Sequence, residues 1–235
     1  MECRDEDERP VETIDEALRR PGLDLRCRHI VSVHAAAALG HSAPTRTHLS
    51  RALADDVAVE ALRETLLQCA LFAGFPRALQ AFEILDQELR ARGESVTDPS
   101  ASAPEGGAPP VVSPADIERW RTQGDQLFRR IYEKQADPVR ARIREFSAEL
   151  ERFTIVGAYG QILSRPGLEA RERELAAIGT LAILDAPRQL ASHLRGARRT
   201  GASREEMHEA LEQMTLHGSR ACVDRALEIL GRLRD

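Results

Sequence analysis

Arg20-Pro21-Gly22-Leu23-Asp24-Leu25-Arg26-Cys27-Arg28 stands near the start of the chain, and Arg165-Pro166-Gly167-Leu168-Glu169-Ala170-Arg171-Glu172-Arg173 stands in its second half. Both read Arg-Pro-Gly-Leu, an acid, then Arg-x-Arg, with Pro21 and Pro166 lying 145 positions apart. The same offset sets Leu39 on Leu184, His48-Leu49 on His193-Leu194, Ala52 on Ala197 and Glu60 on Glu205. It continues with Glu64 on Glu209, Gln68 on Gln213, and Glu83-Ile84-Leu85 on Glu228-Ile229-Leu230. Roughly twenty of about sixty-six positions agree without a gap, which marks a tandem duplication of one unit. Two copies of so long a period do not make a solenoid. They fit a pseudo-dimer, because a self-complementary interface between identical units can be fused into one chain.

The periodicity predicts an all-α fold of antiparallel helix pairs. Residues 1–12 read as an acidic, disordered leader. The first unit, 13–91, carries expected helices at about 13–19, 25–39, 45–54, 58–73 and 75–91. In the fourth, Leu62, Leu66, Cys69 and Phe72 form one apolar stripe. Residues 92–114, rich in Pro, Gly, Ser and Ala, read as a linker. The second unit, 115–235, opens with a helical prelude absent from the first. Ser113 and Pro114 start that prelude, and Asp137-Pro138 opens a second helix running to about Phe153. Helices follow at about 169–184, 187–199, 203–217 and 219–233. Ser203-x-x-Glu206 is a capping box after Gly201, whereas the first copy has Asp56 and Ala58 there, so its turn should be weaker.

A hydrophobic content of 42% supports a packed core, and no apolar run is long enough to span a membrane. The charged start, Met1 to Pro10, lacks the apolar segment of a secretory signal, so a cytoplasmic protein is expected. The net charge of −5 argues against a nucleic-acid surface. The cysteines, Cys3, Cys27, Cys69 and Cys222, include no C-x-x-C pair and predict no disulfide framework. His34, His41 and His48 recur every seven residues, but Gly40 to Pro44 interrupts the helix between them, so no metal site is expected.

Tyr159-Gly160, Arg165 to Leu168, Arg171/Arg173, His193-x-x-x-Ala197, Gly201 and Glu205-Glu206-Met207 together resemble the carboxymuconolactone decarboxylase family, which includes the alkyl hydroperoxidase D-like proteins. The family's later Tyr-x-Gly-x-Pro-x-Ala survives in the first copy as Phe72-Ala-Gly-Phe75-Pro-Arg-Ala78, and the second copy has lost it. The resemblance implies two alkyl hydroperoxidase D-like helical units and a cofactor-free, metal-free acid–base lyase acting on a small carboxylated cyclic compound or lactone. Loss of CO₂ from such a substrate requires a proton donor to carbon and positive groups for carboxylates. His193 is the implied general acid/base, with Glu174 as its orienting partner. Arg171, Arg173, Arg195, His48, Phe72 and Phe75 are the candidate substrate contacts; the recurrence of Arg171 and Arg173 as Arg-x-Arg in both copies favours a salt-bridge role for these two. Family decarboxylases usually carry Ser at the position of Glu174. The hydroperoxidase branch places its redox pair where this chain has Ala186 and Gln189, or His41 and Pro44. An antioxidant protein of that branch, and a non-enzymatic binding or assembly module, are the alternatives. Single-unit relatives assemble from paired units, which implies a homo-oligomer, most simply three two-unit chains, with Phe75 of one copy approaching His193 of the other.

Overall fold

A computed structural model describes residues 13–94 and 112–233, and all regular structure among them is helical. The expected leader and most of the expected linker lie outside the described residues. The first copy contains α1 (Ile14–Arg19), α2 (Leu25–Leu39), α3 (Ser42–Ala54), α4 (Val59–Ala73) and α5 (Phe75–Ala91). The prelude contains α6 (Pro114–Tyr132), α7 (Ala136–Phe146), α8 (Ala148–Arg152) and a π-helical stretch, Phe153–Leu163. The second copy continues with α9 (Ala170–Ile183), α10 (Pro187–Arg199), α11 (Arg204–Glu212) and α12 (Arg220–Gly231). Helices α2 to α5 begin at Leu25, Ser42, Val59 and Phe75, and α9 to α12 at Ala170, Pro187, Arg204 and Arg220, so one offset holds at every start.

Local chemistry explains most of these ends. Ser113 and Ser203 make complete capping boxes with Asp116 and Glu206. The equivalent of Ser203 in the first copy, Ala58, offers no side-chain cap, and Asp56 takes the left-handed conformation that Gly201 takes at less cost. Helix α3 starts at Ser42, three residues earlier than expected, because Pro44 fits a first turn whose N–H groups have no helical partner. The helix expected to run to Phe153 instead breaks at Ser147, which is extended (φ −167°, ψ 129°) and accepts a hydrogen bond from the Leu150 amide to start α8. The expected helix to residue 217 ends at Glu212 and tightens into a 3₁₀ turn, Gln213–Leu216.

Helix α6 packs along the π-helical stretch at backbone distance. A Cβ on Gly124 would lie 1.9 Å from the Ile155 carbonyl oxygen, and one on Gly160 would lie 2.0 Å from that of Trp120. Only glycine fits either position. This contact carries the C-terminus of α6 to α10, where the candidate site lies.

Helices α2 and α9 pack against each other at the centre. Residues 27–38 of α2 and 172–182 of α9 are buried. A helix buried all round must be small or apolar, and the Ala-rich stretches of both meet that need. The copies exchange core residues: Leu23 and Val31 sit in the second copy's core, and their equivalents Leu168 and Ala176 sit in the first copy's.

The repeated phrase makes this exchange polar as well. Arg28 Nη2 lies 3.1 Å from Glu209 Oε2, and the equivalent Arg173 Nη2 lies 2.8 Å from Glu64 Oε2. Arg20 Nε bonds Glu209 at 3.0 Å, as Arg165 Nε bonds Glu64 at 2.7 Å. Gln213 donates to the Arg28 carbonyl at 2.5 Å, and Gln68 donates to that of Arg173 at 2.9 Å. In each pair one copy supplies the arginine and the other the carboxylate or amide. Reciprocal contact of this kind is the signature of a two-fold axis, here between two halves of one chain. The phrase occurs twice because each copy needs it to grip the other.

Gly22 and Gly167 complete the grip. Both have positive φ, +90° and +94°, and a Cβ on either would lie 2.8 Å from the Cγ of Glu209 or Glu64. Gly167→Ala is therefore expected to cost about 1–3 kcal/mol, since strain and crowding add. Urea unfolding checks it; an unchanged midpoint would remove Gly167 from the interface argument.

Candidate active site

Helix α10 supplies most of a cleft. Pro187 at its first turn starts it, and its sequence to Arg199 contains four arginines and no acid. Leu190, Leu194 and Ala197 face the core. The alternate face carries Arg188, Gln189, Ser192, His193 and Arg195. A cavity of about 190 Å³ is lined by Tyr132, Arg188, Gln189, Ser192 and His193. Tyr132 and Ser192 also line a larger one of about 540 Å³, together with Gln135, Val139, Arg195 and Arg199. The prelude forms the opposite wall.

Glu174 on α9 and His193 on α10 meet as expected, with Nδ1 2.9 Å from Oε2. The Glu174 carboxyl is 5% exposed and the imidazole 16%. Gly196 makes the approach possible, because a Cβ there would lie 2.7 Å from Glu174 Oε2. A carboxylate on Nδ1 fixes the tautomer and leaves Nε2 as the nitrogen that can exchange a proton with a bound molecule. It also stabilises the imidazolium formed when Nε2 takes one up. Phe72, at the end of α4 in the other copy, packs edge-on against His193 at 5.6 Å, and His34 packs on Phe72 at 5.3 Å. Phe72 thus joins this site from across the pseudo-two-fold. Phe75 is 69% exposed at the start of α5, and no contact joins it to His193 among the described residues.

The arginines divide in two groups. Arg171 pairs with Asp24 at 3.2 Å and with Glu206. Arg173 is 3% exposed and bound to Glu64, and burial lowers its guanidinium pKa while Glu64 opposes the shift. Both are engaged between or within the copies, away from the cleft. Among the described residues, Arg195, exposed at the cleft, bonds only the Ala191 carbonyl, and Arg188 meets no carboxylate. Arg199 is anchored to the Ile131 carbonyl at 2.6 Å and to Glu133 at 3.0 Å, which ties α10 to the end of α6.

The pseudo-equivalent place in the first copy keeps the histidine and changes both of its neighbours. His48 stands for His193, His29 for Glu174, and His217 for Phe72. The His48 and His217 rings lie 4.9 Å apart, and His29 Nε2 bonds Asp55 at 2.8 Å. His48 is 2% exposed, so it is closed to solvent. Burial, reinforced by neighbouring positive groups, pushes His48 down to about 4 and His217 to about 3. The arginines of α3 are neutralised, Arg46 by Glu88 and Arg51 by Asp15. No trio of His, Cys, Asp or Glu among the described residues could hold a metal ion.

Sequence reasoning did not single out Tyr132, Arg188, Ser192 or Arg199 as site residues. Tyr132 comes from a helix far from the motif in sequence, and no periodic signal marks it. The i, i+4 and i, i+7 spacing of Arg188, Ser192 and Arg195 on α10 was the available signal for that wall.

Three buried free cysteines, Cys27, Cys69 and Cys222, stand apart from one another in sequence. Burial pushes the Cys69 thiol up to about 11 and that of Cys27 higher, which disfavours the reactive thiolate.

Residues 78 in number align at 31% identity with 4-carboxymuconolactone decarboxylase of Acinetobacter baylyi, covering 33% of this chain and 58% of that protein. The chain thus matches little more than half of that relative's length. Peroxisomal protein 2 of Schizosaccharomyces pombe is 28% identical over 162 residues, 68% of this chain and 70% of that protein. The sequence profile described as the carboxymuconolactone decarboxylase family matches twice, at residues 8–87 and 153–230. The two matches fall on the two copies, and the chain belongs to the carboxymuconolactone decarboxylase family as a tandem duplicate.

Proposed function

We propose that the chain is a cofactor-free acid–base lyase that decarboxylates a small carboxylated cyclic compound or lactone in the cleft between α6 and α10. The observation that carries this reading is the Glu174–His193 pair opening on a cleft whose Arg188 and Arg195 meet no carboxylate among the described residues. Arg195, helped by Arg188, holds the substrate carboxylates. The bond to the departing carboxylate breaks, CO₂ leaves, and the electron pair stays on the ring carbon in conjugation with the carbonyl. His193 then delivers a proton from Nε2 to that carbon and regains one from solvent, while Glu174 balances the imidazolium charge. Phe72 shields this proton from bulk water.

The relative named 4-carboxymuconolactone decarboxylase supplies the first substrate to try. Incubation with 4-carboxymuconolactone and related carboxylactones is expected to release CO₂ in proportion to lactone consumed. Binding of these compounds without CO₂ release would leave a ligand-binding module, and neither binding nor release would overturn the reading.

A cytoplasmic location and a homo-oligomer, most simply three chains, belong to the same proposal. Cys27, Cys69 and Cys222, free among the described residues, support a reducing compartment. Exposed Phe75 and Leu79 on α5, with Phe146, Leu150 and Phe153 in the prelude, support further association. No helix among the described residues is long and apolar enough to cross a membrane.

Gly196→Ala provides a local check on the pair. Alanine suits a helix better than glycine, so the fold is kept. Its Cβ would displace Glu174 from Nδ1, and turnover is expected to fall about tenfold to hundredfold. Unchanged turnover would mean that the Glu174–His193 contact is not needed for the reaction.

A further inference from the structure

We infer that Tyr132 is a catalytic residue of this cleft, donating its phenolic hydrogen to the carbonyl oxygen of a bound lactone as negative charge builds there. The inference rests on the proposed lyase reading and adds to it a requirement for a ring carbonyl in the substrate.

Tyr132 closes α6 and lines both cavities, the one that contains His193 and the one that contains Arg195. It is therefore the prelude residue placed where a molecule would span the proton donor and the carboxylate-binding arginine. Its ring is fixed by stacking on Phe128, with centroids 4.3 Å apart and planes at 25°. Phe128 is held in turn by Tyr159, edge-on at 4.9 Å.

The hydrogen-bond direction follows from burial. Tyr159 is 6% exposed, and its hydroxyl donates to the Tyr132 oxygen at 3.4 Å. That oxygen is then an acceptor on its inner side, which leaves its own hydrogen for the cleft. Burial also raises the Tyr132 pKa, with Glu174 adding to the effect, so the phenol stays protonated near neutral pH.

The reaction needs such a donor. As the carbon–carboxylate bond breaks, its electron pair moves onto the ring carbon and is shared with the carbonyl oxygen. A donor already aimed at that oxygen stabilises the charge without reorganising. Tyr132 transfers no proton; His193 protonates carbon, and the phenol keeps its hydrogen throughout.

Calorimetric titration of wild type and Tyr132→Phe with two probes tests the assignment. One probe is 5-oxo-2,5-dihydrofuran-2-acetate, which carries the lactone carbonyl. The other is tetrahydrofuran-2-acetate, which keeps the ring and carboxylate but lacks the carbonyl. Phenylalanine preserves the stacking on Phe128, so the cleft is retained. Wild type is expected to prefer the lactone by about threefold to tenfold, the worth of one hydrogen bond, and Tyr132→Phe to lose that preference. The same preference in both proteins would overturn Tyr132 as the donor and leave the lyase reading standing. An equal loss for both probes would mean that Tyr132 acts by packing alone, which also overturns the assignment. If wild type binds neither probe, the lyase reading fails and the inference falls with it.

Discussion

Glu64→Gln is expected to destabilise the protein by about 3–5 kcal/mol, because it strands the Arg173 guanidinium without an anion. Both partners are almost wholly enclosed, at 3% and 2% side-chain exposure. Glutamine keeps the shape and loses the charge, so the loss reports the ion pair and not a cavity. At about 2–4 °C per kcal/mol for a chain of this size, the midpoint of thermal unfolding should fall by roughly 6–20 °C. Glu209→Gln should behave alike, since Arg28 is completely buried and meets Glu209 in the mirrored arrangement. Similar losses at the two sites would express the pseudo-two-fold in energy as well as in geometry. A loss below 1 kcal/mol at both would mean that the apolar exchange between the copies carries the interface alone.

The second large effect is acid sensitivity. His34 is completely buried, with Nδ1 2.5 Å from Thr180 Oγ1 and Nε2 without a hydrogen-bond partner among the described residues. Burial pushes it down to about 3, with Arg173 and His193 adding to the shift, as burial pushes His48 to about 4. Both are held neutral in the fold and take up protons near pH 6.5 once unfolded. Their stabilising contribution is therefore complete above about pH 6.5 and is lost as pH falls toward the folded values. Between pH 6.5 and 4.5 the two together should cost about 3–5 kcal/mol. His217 acts in the same direction. Urea midpoints at the two pH values check this, with His48→Gln expected to remove about 2 kcal/mol of the difference. A difference unchanged in that variant would place the acid sensitivity elsewhere.

Much of the fold was legible because the duplication carries its own control. Positions that recur at one offset, such as Arg28/Arg173 and Glu64/Glu209, turned out to touch across the copies. The helix starts at Ser113 and Ser203 were readable because a hydroxyl followed by an acid three residues later satisfies two amides at once. Ser147 was not readable, because it sits inside a continuous helical pattern and acts as a cap only once the chain turns. The stretch Phe153–Leu163 was missed for a related reason: its apolar residues follow no 3.6-residue period, and its geometry answers to the close approach at Gly124 and Gly160.

The site was legible only in part. His193 and Glu174 came from the family pattern, since nothing in their spacing, 19 residues apart on two helices, says that they meet. The Arg-x-Arg recurrence did favour structure over substrate contact, as the positions of Arg171 and Arg173 at the interface agree. Phe72 reaches His193 where Phe75 does not: Phe72 ends α4 on its inner side, whereas Phe75 opens α5 after the Gly74 turn and points out. Tyr132 could not be read at all, because its placement depends on how the prelude packs.

On the proposed reading, one half of the fused pair keeps the working site while its equivalent is a closed histidine cluster. Steady-state decarboxylation of 4-carboxymuconolactone by wild type, His193→Gln and His48→Gln, measured near pH 7.5 where all three are folded, tests it most directly. His193→Gln is expected to lower kcat/KM by about 10²–10⁴, the usual worth of a positioned acid/base, and His48→Gln to leave it within about threefold. Equal losses in the two variants, or turnover that survives His193→Gln, would contradict it.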